Sequence, residues 1–157
     1  MPMPSEGDLA PDFSATTDAG ESLRLSSLRG KPVVLFFYPK DDTPGCTIEA
    51  NGFRDVFTDK AKTDAIVLGV SPDDTKSHCK FKTKFDLPYT LLSDTDHSIA
   101  ELYGVWQLKS MFGVKYWGNV RTTFLIDRDG RIAKRFEKVK PIGHATKVLA
   151  AVAQLKR

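Results

Sequence analysis

The sequence has little sulfur and little histidine. Two cysteines in 157 residues make no disulfide framework. Three histidines, His78, His97 and His144, are scattered without Cys/His metal-ligand spacing, so neither a structural zinc nor a cofactor is expected. Apolar runs such as Val33–Phe37 are far too short to span a membrane. The start, Met1-Pro2-Met3-Pro4-Ser5-Glu6, has no basic region followed by an apolar stretch, which predicts a cytoplasmic chain without a secretory signal. Net charge is only +3, and no basic stripe carries interleaved aromatics. The clusters Lys76, Lys80, Lys82, Lys84 and Lys134, Arg135, Lys138, Lys140 read as solvated surface rather than a nucleic-acid footprint. No internal repeat, low-complexity tract or linker divides the chain.

What is present fits a globular protein. Hydrophobic content of 41% and charged content of 27% are ordinary, and 157 residues are expected to form one domain, 1–157. The central feature is Tyr38-Pro39-Lys40-Asp41-Asp42-Thr43-Pro44-Gly45-Cys46-Thr47-Ile48-Glu49. It follows Val33–Phe37, an apolar run expected to be a buried parallel strand. It leads into a helix predicted over Thr47–Lys60, through Ile48, Phe53, Val56 and Phe57. Cys46 thus stands where a strand gives way to the first turn of a helix. Unpaired N–H groups and the positive end of the helix dipole favour an anion there, and the thiolate is the nucleophilic form of cysteine.

The remaining pattern alternates. Ala10–Ala15 predicts an extended entry and Glu21–Leu25 an edge strand after a turn at Thr17–Gly20. Ala65–Val70 predicts a second buried strand, and a helix from about Asp74 to Phe85 follows the cap Ser71-Pro72-Asp73-Asp74. Tyr89–Leu92 is a short strand, and a third helix is expected to begin at Ser93-Asp94-Thr95-Asp96 and to stop at Gly104. Val105–Val120 has no clean period and is expected to be an ordered loop. Thr122–Asp127 and Arg131–Phe136 flank Arg128-Asp129-Gly130 as a hairpin, and a last helix is predicted over Gly143–Lys156. Together these elements predict an α/β layer fold with a mixed sheet.

Pro39-x-x-x-Thr43-x-x-Cys46 resembles the active-site signature of peroxiredoxins, cysteine peroxidases built on a thioredoxin-like fold. Thr43-Pro44-Gly45-Cys46-Thr47-Ile48-Glu49-Ala50 is similar to the version in the bacterioferritin comigratory protein, or peroxiredoxin Q, subfamily. Gly69-Val70-Ser71-Pro72-Asp73, Leu91-Leu92-Ser93-Asp94 and Arg121-Thr122-Thr123-Phe124-Leu125-Ile126-Asp127 are similar too, so the resemblance covers nearly the whole chain. It implies a thioredoxin-like α/β fold, with a central mixed β-sheet flanked by helices and an N-terminal β-extension. It also implies reduction of hydrogen peroxide and organic hydroperoxides, with thioredoxin or a similar dithiol as electron donor. The chain lacks a C-terminal arm with a further cysteine, which resembles the monomeric members.

The resemblance makes Cys46 the peroxidatic cysteine, which becomes a sulfenic acid. Thr43 offers a hydroxyl for the thiolate or the substrate, and Pro39 and Pro44 stiffen the turn, Pro39 also shielding the thiol. Arg121 matches the family's active-site arginine, a permanently charged fork that favours a thiolate and can hold peroxide oxygens. Glu49 is assigned to orienting Arg121. Val105, Trp106, Met111, Phe112, Tyr116 and Trp117 are candidates for an apolar approach, or for ordinary packing of a long loop.

The second cysteine departs from the commonest subfamily pattern. Asn51 stands five residues after Cys46, where a resolving cysteine often sits. Another branch places that residue in the helix after the second strand, where Cys79 lies, about one turn earlier than matching Ser77-His78 would put it. Lys76, Lys80 and Lys82 favour a reactive Cys79. Against this, the two helices are expected on opposite sides of the sheet, and a disulfide needs Cα atoms within about 7 Å. A Cys46–Cys79 bond therefore requires local unwinding of both helices, which Gly52 would ease. A one-cysteine peroxidase with Cys79 inert stays open. So do a thiol-disulfide exchange protein without peroxidase activity and a non-catalytic binding module.

Overall fold

The computed structural model describes residues 2–57 and 63–155 of the chain. In order, the elements are β1 (Ser14–Thr17), β2 (Ser22–Arg24), a 3-10 turn (Leu25–Leu28), β3 (Val33–Phe37), α1 (Pro44–Phe57), β4 (Ile66–Ser71) and α2 (Thr75–Phe85). Then come β5 (Thr90–Ser93), α3 (Ser98–Leu102), β6 (Trp106–Met111), β7 (Val114–Asn119), β8 (Thr122–Ile126), β9 (Ile132–Phe136) and α4 (His144–Ala153). The part of the first predicted helix at 58–60 and the end of the last at 156 lie outside the described residues.

Alternation along β3 explains the layers. Val34, Phe36 and Tyr38 pack into one core, while Val33, Leu35 and Phe37 pack into the other. The strand is buried on both faces because it lies inside a seven-stranded sheet ordered β2-β1-β5-β4-β3-β8-β9. The neighbours β3, β4 and β5 run parallel; β8 is antiparallel to β3, and β9 to β8. The N-terminal pair β1–β2 extends the sheet beyond β5. This is the mixed sheet that the alternating elements predict, with the N-terminal extension that the resemblance implies.

Helix placement corrects one expectation. Cys46, Ala50 and Phe53 of α1, Phe81 of α2, and Ala145 and Val148 of α4 belong to a single core on one face of the sheet. Ile99 and Ala100 of α3, with Phe13 and Leu25 of the N-terminal segment, cover the other face. So α1 and α2 lie on the same side, not on opposite sides. The strand order gives the reason. The chain steps from β3 to β4 and from β4 to β5 in one direction, and two right-handed crossovers stepping the same way put both helices on one face. Phe36 at the centre stacks on Phe53 of α1 at 4.6 Å. Gly69 on the adjacent strand makes room for that ring, since a Cβ there would lie 2.8 Å from it.

Two further expectations change. The third helix does not begin at Ser93 but at Ser98, because residues 93–97 wind around the buried Asp94 carboxylate. That carboxylate accepts bonds from the Ile99 and Ala100 amides at 3.0 and 2.8 Å. Val105–Val120 is not a loop: β6 and β7 pair antiparallel as a separate ribbon from Trp106↔Asn119 to Met111↔Val114. Its reversal takes place at Phe112 and Gly113, both with positive φ, as a two-residue hairpin requires. Phenylalanine is a poor residue for that position, and both ribbon faces are largely exposed, so neither the turn signal nor alternation marks the strands.

Candidate active site

Pro44 is the first residue of α1, where its missing N–H costs nothing and its fixed φ favours the helix. Cys46 follows in the first turn and is 1% exposed. Glu49 lies three residues further on, so both side chains share one helix face. That face meets Arg121, just before β8. One guanidinium nitrogen, Nη2, donates to the Cys46 sulfur at 3.4 Å, and Nη1 donates to Glu49 Oε1 at 2.8 Å. The structure thus brings Cys46, Arg121 and Glu49 together. Gly45 permits the approach, because a Cβ there would stand 3.1 Å from Arg121 Nη2.

The electrostatics are asymmetric. Burial pushes the Glu49 carboxyl up to about 7, against the pull of Arg121. Its second oxygen, Oε2, is buried and meets no hydrogen-bond partner among the described residues. Arg121 is raised above its ordinary value: Glu49 and Cys46 outweigh partial desolvation of the guanidinium. A full positive charge therefore faces the sulfur and attracts a thiolate more strongly than a thiol.

Pro39 is half-buried at the exit of β3. The Thr43 hydroxyl donates to the Lys40 carbonyl at 2.9 Å rather than to the sulfur. Its proton is thereby committed, which leaves the oxygen as an acceptor for a peroxide O–H.

The expected apolar approach is corrected in part. Val105 is fully buried in the core beneath α3 and Trp106 packs against that core, its ring stacked on His97 at 4.2 Å; neither lines a path to Cys46. Met111, Phe112, Tyr116 and Trp117 are exposed on the ribbon, with Phe112 at its tip 99% exposed. Two charged or titratable neighbours escaped sequence reasoning. Lys109 pairs across the ribbon with Tyr116, its ammonium 5.8 Å from that ring, and donates to the Asn119 carbonyl at 3.0 Å. Burial and then Arg121 push Lys109 down, while Cys46 holds it up, which places a second cation in the field of the sulfur. His144 opens α4 with Nε2 2.8 Å from the Thr123 hydroxyl. Burial, then Lys147 and Arg121, push it down to about 4. Lys109 escapes because no turn signal or alternation marks the ribbon that carries it, and nothing local marks His144.

Cys79 is exposed on α2, whereas His78 and Phe81 on the same helix are buried. It shares a shallow depression with Asp18, Lys76 and Lys80. Lys82 is drawn to Asp18 at 3.1 Å. Neither cysteine is in a disulfide. The structure therefore does not bring Cys79 to Cys46.

Known proteins resemble this chain in sequence and in fold. The sequence model of the AhpC/TSA family matches residues 7–135. A putative peroxiredoxin bcp from Coxiella burnetii is 54% identical over 143 residues, covering 91% of this chain and 95% of the relative. Peroxiredoxin Bcp from Bacillus subtilis is 48% identical over 149 residues, 95% of each chain. Among solved structures, a Xanthomonas campestris bacterioferritin comigratory protein, studied for alkyl peroxide reduction, superposes with a TM-score of 0.84 at 36% identity over 90% of each chain. A Xylella fastidiosa PrxQ mutant gives 0.88 at 33% identity over 95% of each.

Proposed function

Because the chain belongs to the AhpC/TSA family and is a peroxiredoxin, a thiol peroxidase that uses a thiol reductant, we propose that Cys46 is the sulfur that attacks the peroxide. The observation that carries this assignment is Arg121 bridging the Cys46 sulfur and the Glu49 carboxylate. The thiolate attacks one peroxide oxygen, an S–O bond forms and the O–O bond breaks. The other oxygen leaves as an alkoxide or hydroxide and takes a proton to give an alcohol or water. Arg121 stabilises charge on the departing oxygens, the Thr43 oxygen accepts from the peroxide O–H, and Pro39 restricts water at the turn. Glu49 positions Arg121. Organic hydroperoxides are proposed alongside hydrogen peroxide, supported by the exposed apolar side chains of the β6–β7 ribbon.

In the second step the Cys79 thiolate attacks the Cys46 sulfenic sulfur. An S–S bond forms and hydroxide leaves, taking a proton to become water. Thioredoxin or a similar dithiol then reduces the disulfide by exchange. One face of the sheet carries both helices, which shortens the path that the opposite-side expectation implied. A one-cysteine cycle is the second reading, favoured by the outward exposure of Cys79 while Cys46 is buried. We place the enzyme in the cytoplasm as a monomer formed of one domain, 1–157, without a nucleic-acid partner; among the described residues no helix is long and apolar enough to cross a membrane.

Peroxide consumption by wild type, Cys46→Ser and Cys79→Ser, with a thioredoxin system supplied, tests the assignment. Cys46→Ser is expected to abolish turnover, and retained turnover would remove Cys46 from its role. Loss in Cys46→Ser alone would select the one-cysteine cycle. Disulfide exchange without peroxidase activity would appear instead as insulin reduction with no peroxide consumption.

A further inference from the structure

A second buried polar cluster lies where the loop before Cys46 meets α2. Asp41 is buried, and its Oδ1 accepts from the Tyr38 hydroxyl at 2.6 Å. Its Oδ2 accepts from the Ser77 hydroxyl at 2.8 Å and lies 2.7 Å from His78 Nδ1. The Asp41 amide donates to Asp73 Oδ2 at 2.8 Å, which also accepts from the Ser71 hydroxyl at 2.6 Å. His78 is fully buried, and its Nε2 donates to the Leu92 carbonyl at 2.9 Å. A carbonyl can only accept, so Nε2 carries a hydrogen. One more proton must then lie between Nδ1 and Asp41 Oδ2, since two lone pairs 2.7 Å apart would repel.

Asp41, Asp73 and His78 each offer a ligand atom within 4.8 Å of the others. A cation is a poor occupant, because these oxygens already accept from protein donors and both His78 nitrogens are engaged. The cluster does something else. It pins the first turns of α2, through Ser77 and His78, to a loop that ends at Thr43, immediately before the helix of Cys46. Its α2 members, Ser77 and His78, are the two residues that precede Cys79.

We propose that the Asp41–His78 pair, with Ser77, is a latch that positions the start of α2 against the active-site loop, and that its release governs the approach of Cys79 to the Cys46 sulfenic acid. The proposal rests on the reading that Cys79 resolves Cys46. A buried, fully hydrogen-bonded pair suits this task, because opening it exposes two polar groups to water at once and closing it buries them again in one geometry. The latch therefore sets the competition between disulfide formation and a second oxidation of Cys46 to the sulfinic acid. His78, Asp41 and Ser77 are positioning residues and do not touch the peroxide.

The test is a quenched-flow mass measurement of sulfenic, disulfide and sulfinic Cys46 in reduced enzyme after peroxide. His78→Gln cannot reach Asp41 and the Leu92 carbonyl together, and it is expected to speed disulfide formation by roughly tenfold or more. The peroxide needed to inactivate half the enzyme should rise in parallel. Ser77→Ala removes one hydroxyl from the latch and leaves the Asp41–His78 hydrogen bond, so it is expected to move both readouts a few-fold in the same direction, with sulfenic acid formation within about twofold of wild type. This variant keeps the test decisive where His78→Gln does not fold. Lys84→Ala removes an exposed tie between α2 and the same loop, the 2.7 Å pair with Asp42, and is expected to change neither readout by more than about twofold. Unchanged or slower disulfide formation in His78→Gln and Ser77→Ala, with a wild type that forms the bond, overturns the latch alone. A wild type that forms no Cys46–Cys79 bond overturns both the latch and the role of Cys79.

Discussion

Arg121 reaches the Cys46 sulfur with one nitrogen at 3.4 Å and the Glu49 carboxylate with another at 2.8 Å. Both bonds depend on a rigid fork, which an ammonium cannot reproduce. Arg121→Lys keeps the charge and loses the geometry. Its second-order rate constant with hydrogen peroxide, followed by stopped-flow, is expected to fall by roughly 10²-fold, the typical effect of removing one preorganised donor. A fall of less than threefold would show that charge alone suffices.

Gly45 isolates the same contact from the other side. A Cβ at this position would lie 3.1 Å from Arg121 Nη2 and 3.6 Å from the Pro141 ring. Gly45 is the second residue of α1, so alanine gains at most the roughly 1 kcal/mol of a helix interior against that close approach, and Gly45→Ala should change the melting temperature little. It should displace the guanidinium by a few tenths of an ångström and slow sulfenic acid formation several-fold. Equal rates in the two proteins would mean that the Arg121 position tolerates such a shift.

Glu49 and His144 give opposite pH dependences. The Glu49 carboxyl is raised from 4.5 to about 7, chiefly by burial, so the folded protein binds its proton more tightly than the unfolded chain does. The resulting stability is fully present below pH 4.5 and is lost as pH rises through 7, an effect of roughly 3 kcal/mol. His144 is lowered from 6.5 to about 4, again chiefly by burial. Its contribution is present above pH 6.5 and lost as pH falls through 4. Between pH 4.5 and 6.5 the two oppose each other. Urea denaturation is expected to show Glu49→Gln gaining stability relative to wild type as pH rises from 4.5 to 7. His144→Gln is expected to gain relative to wild type as pH falls from 6.5 to 4. Parallel stability curves for wild type and a variant would remove that residue as the source.

What could be read in advance follows from where the information lies. Val33–Phe37 announced its strand because an unbroken apolar run of that length fits a buried parallel position. Cys46, Arg121 and Glu49 were legible because a motif fixes them relative to two elements, and the structure joins the three. The shared face of α1 and α2 was not legible, since it follows from strand order, which no single strand or helix encodes. The ribbon was hidden by a phenylalanine in its turn and by two exposed faces. Lys109 was hidden with it, because its place beside Tyr116 exists only once β6 and β7 are paired. His144 depends on α4 docking beside β8, a contact between residues far apart in sequence.

Gly52 bears on how far the Cys46 helix must open. It lies within α1 facing α4, and a Cβ there would meet the Ala145 Cβ at 3.6 Å, an ordinary contact. Gly52→Ala should therefore fit and strengthen the helix by about 1 kcal/mol. If resolution by Cys79 requires α1 to unwind through this residue, the open population falls by roughly fivefold, since 1.4 kcal/mol corresponds to a factor of ten. The expected outcome is a higher melting temperature, disulfide formation slowed up to about fivefold, and more sulfinic acid at a given peroxide concentration. Sulfenic acid formation should be unchanged, because the Cys46–Arg121 contact lies one and a half turns away on the helix. A raised melting temperature with an unchanged disulfide rate would mean that the opening stops before Gly52. The burden of unwinding would then fall on α2, where Cys79 lies.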